Sequence, residues 1–148
     1  MEIDLSIEID RTASEVFSFI KDMENHAQEE GTNVLRVEKI TDGQVGIGTQ
    51  YREVVRMFPF LQVDMFNEVT RYEPNEVIEF TWRGGGMRGV FAYYVESKNG
   101  GSNLRLHEKI TAEGIMVLFK PMIHRTFQET MERRLVGIKQ NLEGSNAG

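Results

Sequence analysis

Two hydrophobic periods divide this chain, and their order limits its fold more than any other feature. Ile3, Leu5, Ile7 and Ile9 alternate with Asp4, Ser6, Glu8 and Asp10, the period-two pattern of a strand with one buried face. Alternation returns after Asn33, cut at short intervals by Asp42-Gly43, Gly46-Ile47-Gly48, Pro59, Pro74-Asn75, Gly84-Gly85-Gly86 and Asn99-Gly100-Gly101, all turn signals. These breaks predict strands over about 33–41, 48–57, 62–72, 76–83, 87–97 and 102–112. Past Gly114 the period changes: Met116, Phe119, Ile123, Phe127, Met131, Leu135, Ile138 and Leu142 step by three or four residues. That spacing predicts one amphipathic helix of about six to seven turns. Pro121 must lie in the helix's first turn or kink an earlier start, because it lacks an amide hydrogen.

Between the first two strands, Thr12 and Glu15 stand at capping-box spacing, where each side chain can satisfy an orphan amide of a first helical turn. The helix they open carries Val16, Phe17, Phe19 and Ile20 on one face and ends near Lys21 or Asp22. Met23 to Glu30 predicts a second short helical piece, stopped by Gly31. The sum is an α+β fold in one domain, 1–148: seven antiparallel strands, two short helices between strands 1 and 2, and a long carboxy-terminal helix.

Composition closes off several functions. A chain of 148 residues, 40% of them hydrophobic, can bury roughly 68–70% of its unfolded surface. The absence of cysteine excludes disulfides, thiolate metal ligands and cysteine nucleophiles. No run approaches the roughly 18 to 20 apolar residues of a membrane span, and Met1-Glu2-Ile3-Asp4 lacks the features of a signal peptide, so a cytoplasmic location is expected. The net charge of −6 is uneven, since residues 1 to 31 hold nine acids against two bases. With no compensating basic stripe, nucleic-acid binding is not expected. Gly84-Gly85-Gly86 lacks the lysine and hydroxyl residue of a phosphate loop and lies between strands, so it reads as a hairpin. No nucleophile-elbow arrangement is present either.

The element order resembles the START-like, helix-grip (SRPBCC) superfamily, and in particular its polyketide cyclase/dehydrase group. Ile9-Asp10-Arg11-Thr12-Ala13-Ser14-Glu15-Val16-Phe17 is similar to that family's first strand entering its first helix. Gly46-Ile47-Gly48-Thr49 resembles its turn into the third strand, Glu68-Val69-Thr70-Arg71-Tyr72-Glu73-Pro74-Asn75 its fourth-to-fifth strand corner, and Leu135 to Glu143 the close of its long helix. The resemblance implies a curved sheet gripping the long helix, with a cavity for a hydrophobic small molecule between them. At Ala27, Gln28 and Glu29 the chain departs from an aromatic position common in the family, which implies a more polar cavity mouth.

Strand alternation then nominates the lining. Tyr51, Glu53, Val55 and Met57 share the more apolar face of their strand, Ile78, Phe80 and Trp82 of theirs, and Leu104, Leu106, Glu108 and Ile110 of the last; Phe91, Tyr93 and Val95 are expected inward on the sixth, where the opposite set Val90, Ala92 and Tyr94 is nearly as apolar. Met116, Phe119, Ile123, Phe127 and Met131 of the long helix would complete the wall. The same stripe is what an ordinary core requires. Glu53 and Glu108 stand out because a carboxylate on an apolar face must be paired, hydrated or protonated. Each is a candidate to orient a ligand hydroxyl or to act as acid or base; a salt bridge to an arginine such as Arg83 or Arg88 is the plain alternative. His26 and Tyr51 are the remaining acid/base candidates. His26 and Glu29 offer too few ligands for a metal site, so no metal or cofactor is expected. Met57-Phe58-Pro59-Phe60-Leu61 and Ile115-Met116-Val117-Leu118-Phe119 are apolar loops suited to core packing, a ligand gate, a dimer contact or, through Phe58 and Phe60, transient membrane contact.

Three functions compete: a carrier of a lipid-like or polyketide-like molecule, as monomer or homodimer; a polyketide cyclase or dehydratase using pocket carboxylates; and a protein-interaction module built on the acidic amino end and the apolar loops.

Overall fold

In the computed structural model, residues 1–26 and 33–144 are described. The alternating segments form one antiparallel sheet of seven strands in the order β1-β7-β6-β5-β4-β3-β2. Their bounds are β1 (Glu2–Ile9), β2 (Val34–Lys39), β3 (Gln50–Phe58), β4 (Leu61–Glu73), β5 (Val77–Gly84), β6 (Met87–Lys98) and β7 (Gly101–Ala112). From β2 to β7 each strand pairs with its sequence neighbour. Only β1 crosses over, pairing Ile3 with Glu108 and Ile9 with Ser102.

The hairpins follow from their turn residues. Lys98 pairs with Gly101 across Asn99 (φ 50°) and Gly100 (φ 83°), and Gly84 pairs with Met87 across Gly85 (φ 61°) and Gly86 (φ 76°). Positive φ at both central residues is what a two-residue hairpin needs to match strand twist. Gly84 is constrained by space as well: a Cβ there would lie 2.1 Å from the Asp64 carbonyl oxygen. Gly84→Ala should therefore lower stability by about 1–3 kcal/mol, read as a shift of the urea midpoint. A change within the scatter of an exposed substitution would contradict it.

Helix α1 (Ala13–Ile20) opens on the expected capping box, with the Glu15 amide donating to Thr12 Oγ1 at 3.2 Å and the Thr12 amide to Glu15 Oε1 at 3.3 Å. It buries Val16, Phe17 and Ile20. The second helical piece is a single 3-10 turn, Met23–Asn25, capped by Asp22; the expectations for Ala27 to Gly31 lie outside the described residues.

The long helix α2 (Lys120–Gly144) starts later than its periodicity suggested. Gly114–Phe119 is a 3-10 segment that buries Met116, its three residues per turn differing from the 3.6 of α2. Pro121 consequently sits in the first turn of α2, where its missing amide hydrogen is not needed. The helix runs along β1 in the same direction, with His124 Nε2 3.2 Å from the Glu2 carbonyl oxygen and Lys139 Nζ donating to that of Glu8 at 2.6 Å. Its inner stripe (Ile123, Phe127, Met131, Leu135 and Ile138) is buried on the sheet. Among the described residues, no helix is long and apolar enough to cross a membrane.

Candidate functional site

Alternation delivers the inward faces expected of it: Tyr51, Glu53, Val55 and Met57 on β3, Ile78, Phe80 and Trp82 on β5, Phe91, Tyr93 and Val95 on β6, and Leu104, Leu106, Glu108 and Ile110 on β7 are all buried. Between this face and α2 lies a cavity enclosing about 460 Å³ of space outside protein atoms, its opening included, of which about 40 Å³ admits the centre of a water-sized sphere. It is a slot, wide enough for a few waters.

Eight of the residues nominated from sequence line it: Glu53, Val55, Met57 and Trp82, with Phe91, Glu108, Phe127 and Met131. Eleven do not. Tyr51, Ile78, Phe80, Tyr93, Val95, Leu104, Leu106, Ile110, Met116 and Ile123 are buried outside the lining, and Phe119 is 38% exposed. Phe119 is turned away because it ends the 3-10 segment instead of extending the α2 stripe. Tyr51 donates instead to Asp22 Oδ1 at 3.2 Å, and burial beside that carboxylate raises its pKa. Phe60 is exposed; the Phe58 side chain lies outside the described part of the chain.

The polar groups of the cavity form a band across the sheet. Asn67 on β4 donates from Nδ2 to Glu53 Oε1 at 2.8 Å. Trp82 on β5 donates from Nε1 to Glu108 Oε1 at 3.0 Å, although Glu108 lies two strands away on β7. The indole crosses β6 at Gly89, where a Cβ would stand 2.7 Å from the ring. Any other residue there would block the reach.

Arg134 of α2 completes the band. It is 2% exposed, its Nη2 lies 3.7 Å from Glu53 Oε2, and its guanidinium stands 5.9 Å from the Phe91 ring centroid. Arg134 also interacts with the Tyr93 hydroxyl, which lies 3.3 Å from His26 Nδ1. His26 Nε2 meets the Ile20 carbonyl oxygen at 2.9 Å. A carbonyl can only accept, so Nε2 carries the hydrogen; burial disfavours a second proton on the ring, which leaves Nδ1 to accept from Tyr93. Burial, with Arg134 nearby, holds its pKa down at about 3. His26 is thus a buried anchor for the arginine and stands outside the cavity lining.

Two carboxyls therefore face one guanidinium. Burial raises both acids against the lowering influence of Arg134, and Glu108, with Glu53 as a like charge, reaches about 8. Among the described residues, Glu108 Oε2 and Arg134 Nε are buried without a hydrogen-bond partner.

Neither arginine named from sequence as the plain partner fills that role. Arg88 pairs with Glu113 at 3.1 Å on the surface, and Arg83 is exposed. Sequence reasoning missed Arg134, Thr130, Asn67 and Met65, all of which line the cavity. The signal for Arg134 was present, since it stands three residues after Met131 and four before Ile138 on the buried stripe. His107 and His124 sit apart, near the Glu2 side chain and backbone respectively, and among the described residues no three potential ligands gather around a metal position.

The fold and this cavity can be set beside known structures. A protein from Thermus thermophilus, TTHA0849, superposes with a TM-score of 0.82 at 17% identity, covering 99% of both chains. The Zhui aromatase/cyclase of a Streptomyces species matches with 0.79 at 11% identity, over 97% of this chain and 93% of its own. A START superfamily protein from Mycobacterium smegmatis matches with 0.77 at 13% identity, over 98% and 99%. At these identities the likeness is one of fold. Comparison with curated sequences finds no match. The family model described as polyketide cyclase/dehydrase and lipid transport matches residues 1–143, and the chain belongs to that family.

Proposed function

We propose that this protein binds a hydrophobic small molecule, lipid-like or polyketide-like, in the slot between the sheet and α2. The observation that carries the reading is a largely apolar cavity whose wall contains three buried ionisable groups, two of them with an unpartnered polar atom among the described residues. Apolar walls with a few polar groups that fix orientation are the usual make-up of a small-molecule site. The slot is narrow, but Met57, Met65 and Met131 line it, and unbranched thioethers repack around a guest at little cost.

A second reading, a cyclase or dehydratase, is favoured by Glu108 alone: a carboxyl held near 8 retains its proton at neutral pH and can give it up to a substrate. Glu53 would then be the companion carboxylate. His26 and Tyr51 have no part in this reading, since neither lines the cavity.

Trp82 is the chain's single tryptophan and stacks on Phe127 at 5.5 Å within the wall, so its emission reports what enters. Native mass spectrometry of gently purified protein should find a retained organic molecule. Readdition of the extract to stripped protein should shift Trp82 emission and raise the melting temperature by mass action. Absence of a retained molecule, together with unchanged emission across a panel of apolar probes, would sink the reading.

A further inference from the structure

The hydrogen-bonding capacity left over in the cavity says which polar group a guest must carry. The donors that the neighbouring strands bring to the two acids are already committed: Asn67 of β4 serves Glu53 of β3, and Trp82 of β5 serves the Glu108 Oε1 of β7. Tyr93 of β6 is committed to His26 and Arg134. Of the fully buried side-chain polar atoms among the described residues of the cavity, the Arg134 Nε hydrogen of α2 and Glu108 Oε2 are left unpartnered.

Charge decides how Oε2 behaves. Glu53 and Glu108 share one guanidinium and all three side chains are buried, so with Glu53 balanced by Arg134 the second carboxyl keeps its proton. Oε2 or its partner oxygen is then an O–H donor, and the Trp82 hydrogen bond leaves that role to Oε2. Both leftover groups are donors, and both lack the same thing, an acceptor.

Resting on the cavity reading above, we infer that the site selects an uncharged ligand carrying an acceptor oxygen, of the ketone or ester carbonyl kind, received by Arg134 Nε and Glu108 Oε2, and that it rejects carboxylates and ammonium ions. A ligand carboxylate would be a third acid facing one base. An ammonium group has no lone pair for Arg134 Nε and would place a second cation beside the guanidinium. A carbonyl oxygen has two lone pairs and no charge, and satisfies both donors. The pKa of Glu108, near 8, keeps its proton available through neutrality.

Four probes on one flat scaffold test this: acetylnaphthalene, naphthoate, aminomethylnaphthalene and ethylnaphthalene, titrated calorimetrically into stripped protein at near-neutral pH. The ketone should bind about tenfold more tightly than the hydrocarbon, the worth of a hydrogen bond to a charged donor, with the acid and the amine weaker than the hydrocarbon. Glu108→Leu should remove the ketone's advantage, and Glu108→Gln, which keeps a donor, should retain it. Above about pH 8 the advantage should shrink in the parent protein and persist in Glu108→Gln. Equal binding of ketone and hydrocarbon, or tighter binding of naphthoate or the amine, would overturn the inference and leave the cavity reading standing. Failure of all four to bind, hydrocarbon included, would overturn both.

Discussion

Replacing Arg134 with methionine should lower the folding free energy by about 3–5 kcal/mol at neutral pH, the usual result of removing one member of a buried charged set. Methionine fills much of the arginine's volume, so packing against Phe91 and Met131 changes little and the loss is electrostatic. Glu53 would keep its Asn67 hydrogen bond but lose the cation that faces it, and Glu108 would lose the influence that offsets its burial. Tyr93 and His26 would lose the group they orient. Because the uncompensated species is the ionised carboxyl, the deficit should narrow as pH falls and the acids take up protons. Adding Glu53→Gln to Arg134→Met should recover part of it. Urea unfolding at two pH values measures all three effects. A deficit under about 1 kcal/mol at neutral pH, or one independent of pH, would show that the arginine does not hold these acids.

Stability should also fall as the solution becomes mildly alkaline, through Glu108. Its folded pKa of about 8 lies above the ordinary 4.5, so between those values the folded chain holds a proton that the unfolded chain has released. Its stabilising contribution is complete below 4.5 and is lost as pH rises through 8, at up to about 1.4 kcal/mol per pH unit. Glu53 is shifted in the same direction. His26 acts the opposite way: with a folded pKa of about 3 against 6.5, its contribution is present above 6.5 and is lost as pH falls towards 3. The opposed slopes of His26 and Glu108 offset each other between 4.5 and 6.5, so the decline through Glu108 emerges above 6.5. Glu108→Gln should flatten that decline, a difference of about 2 kcal/mol between pH 6.5 and 8. Thermal melts across this range test it, and parallel profiles for the two proteins would refute the assignment.

The parts of the site that could be read from sequence are those that depend on one strand at a time. Glu53 and Glu108 were found because alternation alone placed each on an apolar face. Arg134 was not, although its helical spacing from Met131 and Ile138 would have put it there, because an arginine on a mostly polar helix draws no notice until something buried faces it. Trp82 was expected inward, but its hold on Glu108 needed two further facts: that β5 and β7 flank β6, and that Gly89 stands where the indole crosses. The change from expected helix to 3-10 turn over Gly114–Phe119 removed Phe119 from the wall for a similar reason, since a segment of three residues per turn falls out of register with the 3.6-residue stripe of α2.

Element order, the capped first helix, the turns at Gly84-Gly85-Gly86 and Asn99-Gly100-Gly101 and the exclusion of cysteine chemistry were all legible in the sequence alone, since each is a property of neighbouring residues and their backbone preferences. Tertiary structure alone decided that two acids would share one arginine, that His26 would be a neutral anchor, and that Glu108 Oε2 and Arg134 Nε would be buried without a partner among the described residues. Those outcomes depend on strand register and on where the long helix crosses the sheet, and the burial that makes them consequential exists only once both surfaces have met.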